Sequence, residues 1–309
     1  MDRLVDTPIL KFHPDTLEAV RRQCGLGASG EAGRAVDILR QWIQQQRHFL
    51  RKDFPRDYLE KSIIFSKGSL ERTKERLDKL CTMRTYFPKF FGDYNIEKDF
   101  THFKGFWTST PTEEHFRVCR IKLSGNQFPT TFMIDYTRIS IAEYLRSRDY
   151  MSGYLILFDL TEVNFMSLAS AIDYVNLQQT CSLLLVSKTT ITAYGFQVKG
   201  IHILSDINKI ILAIVEMVKQ FLSPIIRNRI IFHRTFEDLY KHIPKELLPA
   251  DYGGHQKSLQ DGYELSSPEH RSWVREMAAA GTDEGLRPRS ARDDFYAGLP
   301  GTFRALDVD

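Results

Sequence analysis

The stretch FQVKGIHILSDINKIILAIVEMVKQFLS, residues 196–223, changes its period midway. FQVKGIHIL, 196–204, has the short apolar character of a strand. Beyond it Ile207, Ile210, Ile211, Ile214, Met217, Val218 and Phe221 recur at three- and four-residue spacing, one stripe of a helix. Leu212 and Val215 widen that stripe past half of the circumference. The pattern supports two readings. One is a buried core helix. The other is a helix that closes an apolar cavity on one side and meets lipid on the other.

Upstream, GYLILFDL (153–160) is a continuous apolar run ending in Asp159 and predicts a central buried strand. RVCRIKLS (117–124) alternates, with Cys119, Ile121 and Leu123 on one side and Arg120 and Lys122 on the other, which predicts a strand with one wet face. The second half of QFPTTFMIDYTRISIAEYLRSRDY (127–150) is helical. Residues 178–194 favour strand by propensity and helix by length and position. Strands alternating with helices place this part of the chain in the α/β class.

Residues 1–95 contain helical patterns only. Ala35, Leu39, Trp42 and Ile43 share one face of one helix. Leu70, Leu77, Leu80 and Cys81 share a stripe of another, for which Ser69 is the cap. Gly25, Gly27 and Gly30 have the G-x-G-x-x-G spacing of a dinucleotide site, but that site needs a strand before the first glycine. HPDTLEAVRRQ (13–23) is a short amphipathic helix instead, so the glycines read as a linker between helices. After Gly254 the chain becomes rich in Ser, Gly and charge, apart from an amphipathic turn around Trp273. The expected organisation is a helical domain over 1–95, a ligand-binding α/β domain over 96–255, and a polar, partly disordered tail over 256–309.

The formal net charge of +3 is uneven. Residues 256–309 carry seven Lys/Arg and ten Asp/Glu, which leaves +6 for residues 1–255. That bias is too weak to argue for nucleic acid and suits an anionic membrane surface. Cys24, Cys81, Cys119 and Cys181 are spread without paired spacing, which fits reduced thiols and a cytoplasmic location. No run approaches 18 uninterrupted apolar residues.

Reactive patterns are missing from the sequence. It has no G-x-S-x-G elbow, no phosphate loop of the G-x-x-x-x-G-K-[ST] type, and no H-x-x-x-H pair among its nine histidines. His202 and His233 read as structural, hydrogen-bonded imidazoles, and Asp159 has no partner acid or base near it in sequence. The expectation is a binding protein, with no catalytic residue, no metal and no cofactor.

Four segments occur in an order that resembles the CRAL-TRIO lipid-transfer family. They are Lys199-Gly200-Ile201-His202, the Ile207–Phe221 helix, Arg227-Asn228-Arg229-Ile230 with His233, and Leu248-Pro249-Ala250-Asp251-Tyr252-Gly253-Gly254. The likeness is nearest to the branch that holds alpha-tocopherol transfer protein and retinaldehyde-binding proteins. LRQWIQQQRHFLRKDFPRDYLEKS (39–62) looks like its helical leader, and GTFRALDVD (301–309) looks like the tail of insect members.

The resemblance implies a small all-helical N-terminal domain before a CRAL-TRIO domain with a mixed sheet floor, covering helices and an apolar gate helix. It implies an intracellular carrier of one hydrophobic molecule, tocopherol-, retinoid- or phospholipid-like, that associates transiently with membranes. Phe158, Phe165, Leu183 and Leu184 would line the cavity. Lys199, Arg227 and Arg229 would meet an anionic surface. Of the four residues that hold a phosphoinositide in some members, Lys199 and Arg229 are kept, while Gln197 and Ile225 replace the other two. Glu162 stands where many members have glycine. The alternative function is a lipid-sensing signalling module whose tail holds a protein partner.

Overall fold

The computed structural model describes residues 4–7, 10–92, 94, 103–125, 131–164, 193–206, 209–220, 223–256 and 267–288. The N-terminal part is a layer of helices: α1 (Thr16–Gln23), α2 (Glu31–Gln45), α3 (Arg56–Phe65) and α4 (Leu70–Tyr86). Each buries its apolar stripe in one core that joins Leu17 and Val20 to Leu39, Ile43, Tyr58, Ile63 and Leu77. The Ser69 hydroxyl caps α4 by accepting from the Arg72 amide. The Gly25–Gly30 stretch joins α1 to α2, with Gly30 at φ 76° just before α2 begins.

The α/β part is a mixed sheet in the order β1-β2-β3-β4-β5. Its strands are β1 (Phe103–Pro111), β2 (Phe116–Gly125), β3 (Gly153–Val163), β4 (Val198–Leu204) and β5 (Ile230–His233). β1 runs antiparallel to β2, and every later pair is parallel. Parallel neighbours need long crossovers. α5 (Thr131–Arg148) supplies one between β2 and β3. α6 (Lys209–Lys219) and the short α7 (Pro224–Arg227) lie between β4 and β5. The strand-to-helix change predicted within 196–223 is therefore present.

Register sorts the side chains into two faces, because strand side chains alternate. Ile121, Phe158, Ile203 and Phe232 stand in one cross-strand row, and Cys119, Ile156, Ile201 and Ile230 in the next, on what we call the α6 face. Val118, Arg120, Leu157, Asp159, His202 and Leu204 take the opposite, closing face. That face is covered by α8 (Phe236–Tyr240) and by Ile243, Leu248 and Tyr252 from the segment that follows it.

One expectation changes here. The alternation of β2 predicts a wet row at Arg120 and Lys122, yet Arg120 is only 1% exposed. The closing segment lies over it, a contact between residues more than a hundred positions apart that local periodicity cannot register. The amphipathic turn around Trp273, read from the sequence as the part of the tail able to dock, is a helix, and the contact runs beyond it. α9 (Pro268–Ala278) is capped by Ser267, and its Trp273 and Met277, with Ala280 beyond it, pack into the core of the helical layer. The segment after α9 continues along that layer. The Leu50 amide donates to the Gly281 carbonyl at 3.1 Å, and Arg287 holds Asp78 at 2.6 Å.

Candidate functional site

The α6 face is unevenly covered. At one side Phe106 and Cys119 are sealed under Tyr136, Ile141, Tyr144 and Leu145 of α5. At the other, Ile203 is sealed under Ile211 and Val215 of α6. Between these clusters Ile121, Ile156, Phe158, Leu160, Ile201 and Phe232 are only half-buried. Apolar surface kept in water costs about 25 cal/mol for each Å², which makes this half-buried row a candidate binding surface.

Of the cavity residues read from the sequence, the structure places Phe158 in the middle of this row. Phe165, Leu183 and Leu184 lie outside the described residues. Ile121, Ile156, Ile201 and Phe232 were not assigned to the cavity from the sequence. Their period-2 pattern was visible in GIHIL and IIFH, but only the register shows that they share one face.

The gate residues divide similarly. Ile211 is buried against the sheet, and Leu212 on the other side of α6 is 42% exposed. Ile210, Ile214, Met217 and Val218 belong to the helix, with side chains outside the described set; Ile207 and Phe221 lie outside it altogether. α6 thus buries Ile211 and Val215 against the sheet and exposes Leu212 among Lys209, Ala213, Glu216 and Gln220. No helix among the described residues is long and apolar enough to cross a membrane.

Beside α6 lie the basic residues. Lys199 rests its ammonium 4.7 Å over the Phe116 ring, and Arg229 donates from Nη1 to the Val198 carbonyl. Arg227 is exposed at the end of α7, where Ile225 is 65% exposed.

The closing face is a polar lock. Tyr252 donates its hydroxyl to Asp159 Oδ2, while Arg120 stacks 5.5 Å from the Tyr252 ring centroid and donates to its oxygen at 3.3 Å. Asp159 Oδ1 accepts from the Thr161 amide at 3.0 Å and from its hydroxyl at 2.6 Å. Burial pushes the Tyr252 phenol pKa up. The D-Y-G-G run has a steric logic. Gly253 turns at φ 70°, and a Cβ on Gly254 would sit 2.0 Å from the Leu248 carbonyl oxygen.

Next to this lock, His202 Nδ1 and His233 Nε2 are 2.9 Å apart in stacked rings, and His242 lies over both. Burial, with the neighbouring His233 and His242, lowers the His202 pKa to about 4. These groups hold one another, and none faces the apolar row. Among the described residues no group of His, Cys, Asp and Glu is placed to hold a metal ion.

The helical layer is fixed to α5 by buried charge. Arg84 donates to Glu143 at 2.7 Å, and Tyr194 donates to the same oxygen at 2.7 Å. Arg146 reaches the Tyr58 hydroxyl at 3.1 Å and the Ser62 hydroxyl at 2.8 Å. Pairings of this kind span tens of residues and leave no local sequence pattern.

Residues 116–254 match the CRAL/TRIO domain family. Among solved structures, the chain is similar to one reported as the crystal structure of Sfh5, with 10% sequence identity and a TM-score of 0.41 over 80% of this chain and 96% of that one. No curated protein matches the chain in sequence.

Proposed function

We propose, from the premise that residues 116–254 form a CRAL/TRIO domain, that the protein is a carrier that binds one hydrophobic small molecule over the α6 face and exchanges it at membranes. The observation that supports this most is the contrast between the sheet's two sides. One is locked by hydrogen bonds, and the other keeps a row of half-buried apolar side chains from Ile121 to Phe232.

Keeping about 15 methylenes out of water is worth roughly 12 kcal/mol, so a lipid leaves a bilayer slowly unless a dry cavity replaces it. In this reading α6 is the gate, and Leu212 is the exposed apolar residue that would meet lipid. Lys199, Arg227 and Arg229 steer the protein to an anionic surface on the cytoplasmic side. The ligand is tocopherol-, retinoid- or phospholipid-like, as in the branch that the motifs resemble. The lipid-sensing signalling module is the weaker reading, because residues 267–288 of the tail already have intramolecular contacts.

The test is native mass spectrometry with organic extraction of the full chain purified from a eukaryotic host. One apolar ligand at near one-to-one stoichiometry is the expected result. A protein that stays empty even after challenge with lipid vesicles argues against the carrier reading.

A further inference from the structure

The helical layer holds a cavity of about 590 Å³, where the N-terminal segment, α1, α2, α3 and the end of α5 meet. That volume lies within the range of small-molecule sites. Leu4, Phe12, Leu17 and Val36 give it apolar lining, and Val5, which also lines it, is 80% exposed, so the cavity reaches solvent. Gly33 of α2 contributes bare backbone, and a Cβ built there would meet nothing within 4 Å. Glycine inside a helix is unfavourable, so this position forgoes local stability and leaves space.

The charges around the cavity do not cancel. Glu60 takes Arg21 with both oxygens, at 2.6 and 3.1 Å. Asp57 accepts from Lys61 at 2.8 Å, and Asp37 accepts from Arg56 at 2.5 Å. Arg148, the last residue of α5, is left over. Its Nη1 donates to the Ser147 hydroxyl at 2.9 Å and lies 3.5 Å from His270 Nδ1, and its guanidinium rests 4.8 Å from the Tyr144 ring centroid. Among the described residues no carboxylate pairs with it, and its Nε and Nη2 meet no acceptor. Glu269 of α9 acts on it only from beyond ion-pair distance. Lys61 stands beside the same end of α5, with its ammonium 4.9 Å over the Tyr150 ring. Burial lowers the pKa of both cations.

We propose that this cavity is a second ligand site, which takes a monocarboxylate with an apolar body and holds the carboxylate on Arg148, with Lys61 beside it. One surplus cation matches one negative charge. Asp57 and Glu60, which also line the cavity, would repel a more highly charged anion such as phosphate. The free Nε and Nη2 of Arg148 form the planar fork that fits a carboxylate. The apolar lining then covers the body of the ligand. Occupancy would tie the N-terminal segment and α3 to the end of α5, where Arg148 also meets α9 through His270. None of the lining residues belongs to the half-buried row of the α6 face, so the inference stands apart from the carrier reading.

The experiment uses the full chain and three probes: decanoate, decanol and inorganic phosphate. Calorimetric titration is run on wild type, Arg148→Gln and Gly33→Leu. A hydrogen bond to a charged group is worth about tenfold or more in affinity. Decanoate should bind wild type at least about tenfold more tightly than decanol does, and Arg148→Gln should lose that advantage. Gly33→Leu fills the cavity with a better helix former, so it should abolish this binding without lowering the melting temperature. Decanoate should also slow hydrogen exchange in residues 4–12 and 56–65 of wild type, and in neither for Gly33→Leu.

Decanoate binding that survives both substitutions, with protection confined to β3, β4 and β5, would place the probe on the α6 face and refute the second site. Equal affinity for decanoate and decanol would overturn the role of Arg148. Tighter binding of phosphate than of decanoate would overturn the carboxylate assignment. If wild type binds none of the three probes, the site itself is refuted, whatever lipid the protein carries elsewhere. Should Arg148→Gln melt early, Gly33→Leu still decides the matter, because it adds atoms to empty space and removes no contact.

Discussion

The two faces of the sheet are made from the same five strands and treat their side chains in opposite ways. On the closing face, even charged groups are buried and bonded: Arg120, Tyr252 and Asp159 form a chain of contacts, and His202 pairs with His233. On the α6 face the middle of the sheet is wholly apolar and only half-covered. Breaking a buried polar network strands its groups away from water at high cost. An apolar surface, by contrast, tolerates a change of partner from protein to lipid. The closing face therefore holds the fold in one arrangement, and the α6 face is the one through which the proposed carrier would exchange its ligand.

The largest expected effect breaks the closing face. Tyr252→Ala removes an aromatic side chain from a sealed cluster and leaves Arg120 and Asp159 without their shared partner. A loss of about 3–5 kcal/mol is expected, read as a lower midpoint in urea unfolding at an unchanged slope. Phe158→Ala, on the other face, should cost less than about 2 kcal/mol, because its side chain is only half-buried. Its main effect should be a change in the amount or kind of lipid extracted from the purified protein. Equal destabilisation by the two substitutions, with lipid content unchanged, would reduce the α6 face to ordinary core.

A smaller effect depends on pH. His202 titrates at about 4 in the fold against 6.5 for an unperturbed histidine, so the unfolded chain binds the proton more readily. The stability contributed by the neutral imidazole is whole above pH 6.5 and is lost as the pH falls toward about 4. His202→Asn should flatten that part of the stability–pH curve. A wild-type curve already flat between those values would show that the pair tolerates charge.

Much of this contrast was legible in the sequence where it depends on local order. The change of period within 196–223 gave β4 and α6, and the apolar run 153–160 gave β3. Phe158 falls in the half-buried row because it belongs to that run. Arg120 was misplaced because alternation tells which residues oppose each other, not what later covers them. Tyr252, which covers Arg120, lies 132 residues away. The same limit hid the contact of Phe65 with Phe196, which joins two segments that no periodicity connects. In the tail the amphipathic turn around Trp273 was legible, but its continuation through Met277 and Ala280 to Arg287 was not, because polar composition surrounds it.

The smallest effect sharpens the boundary of the exchanging face. Glu162 is a departure from the glycine common in the resembling family, and at the end of β3 it could be taken for part of a cavity wall. The structure gives its carboxylate a different task, pairing with Lys122 at 2.6 Å. That pair is more than half exposed on the Glu162 side, so water screens it. Lys122 also lies 3.8 Å from Asp159, so Glu162→Gln would leave the lysine one acidic neighbour on the closing face. The expected change in stability is therefore at most about 0.5 kcal/mol, with extracted lipid the same as wild type. A change in lipid content at unchanged stability would extend the ligand surface past Leu160 to the end of β3, and Glu162 would then select among ligands.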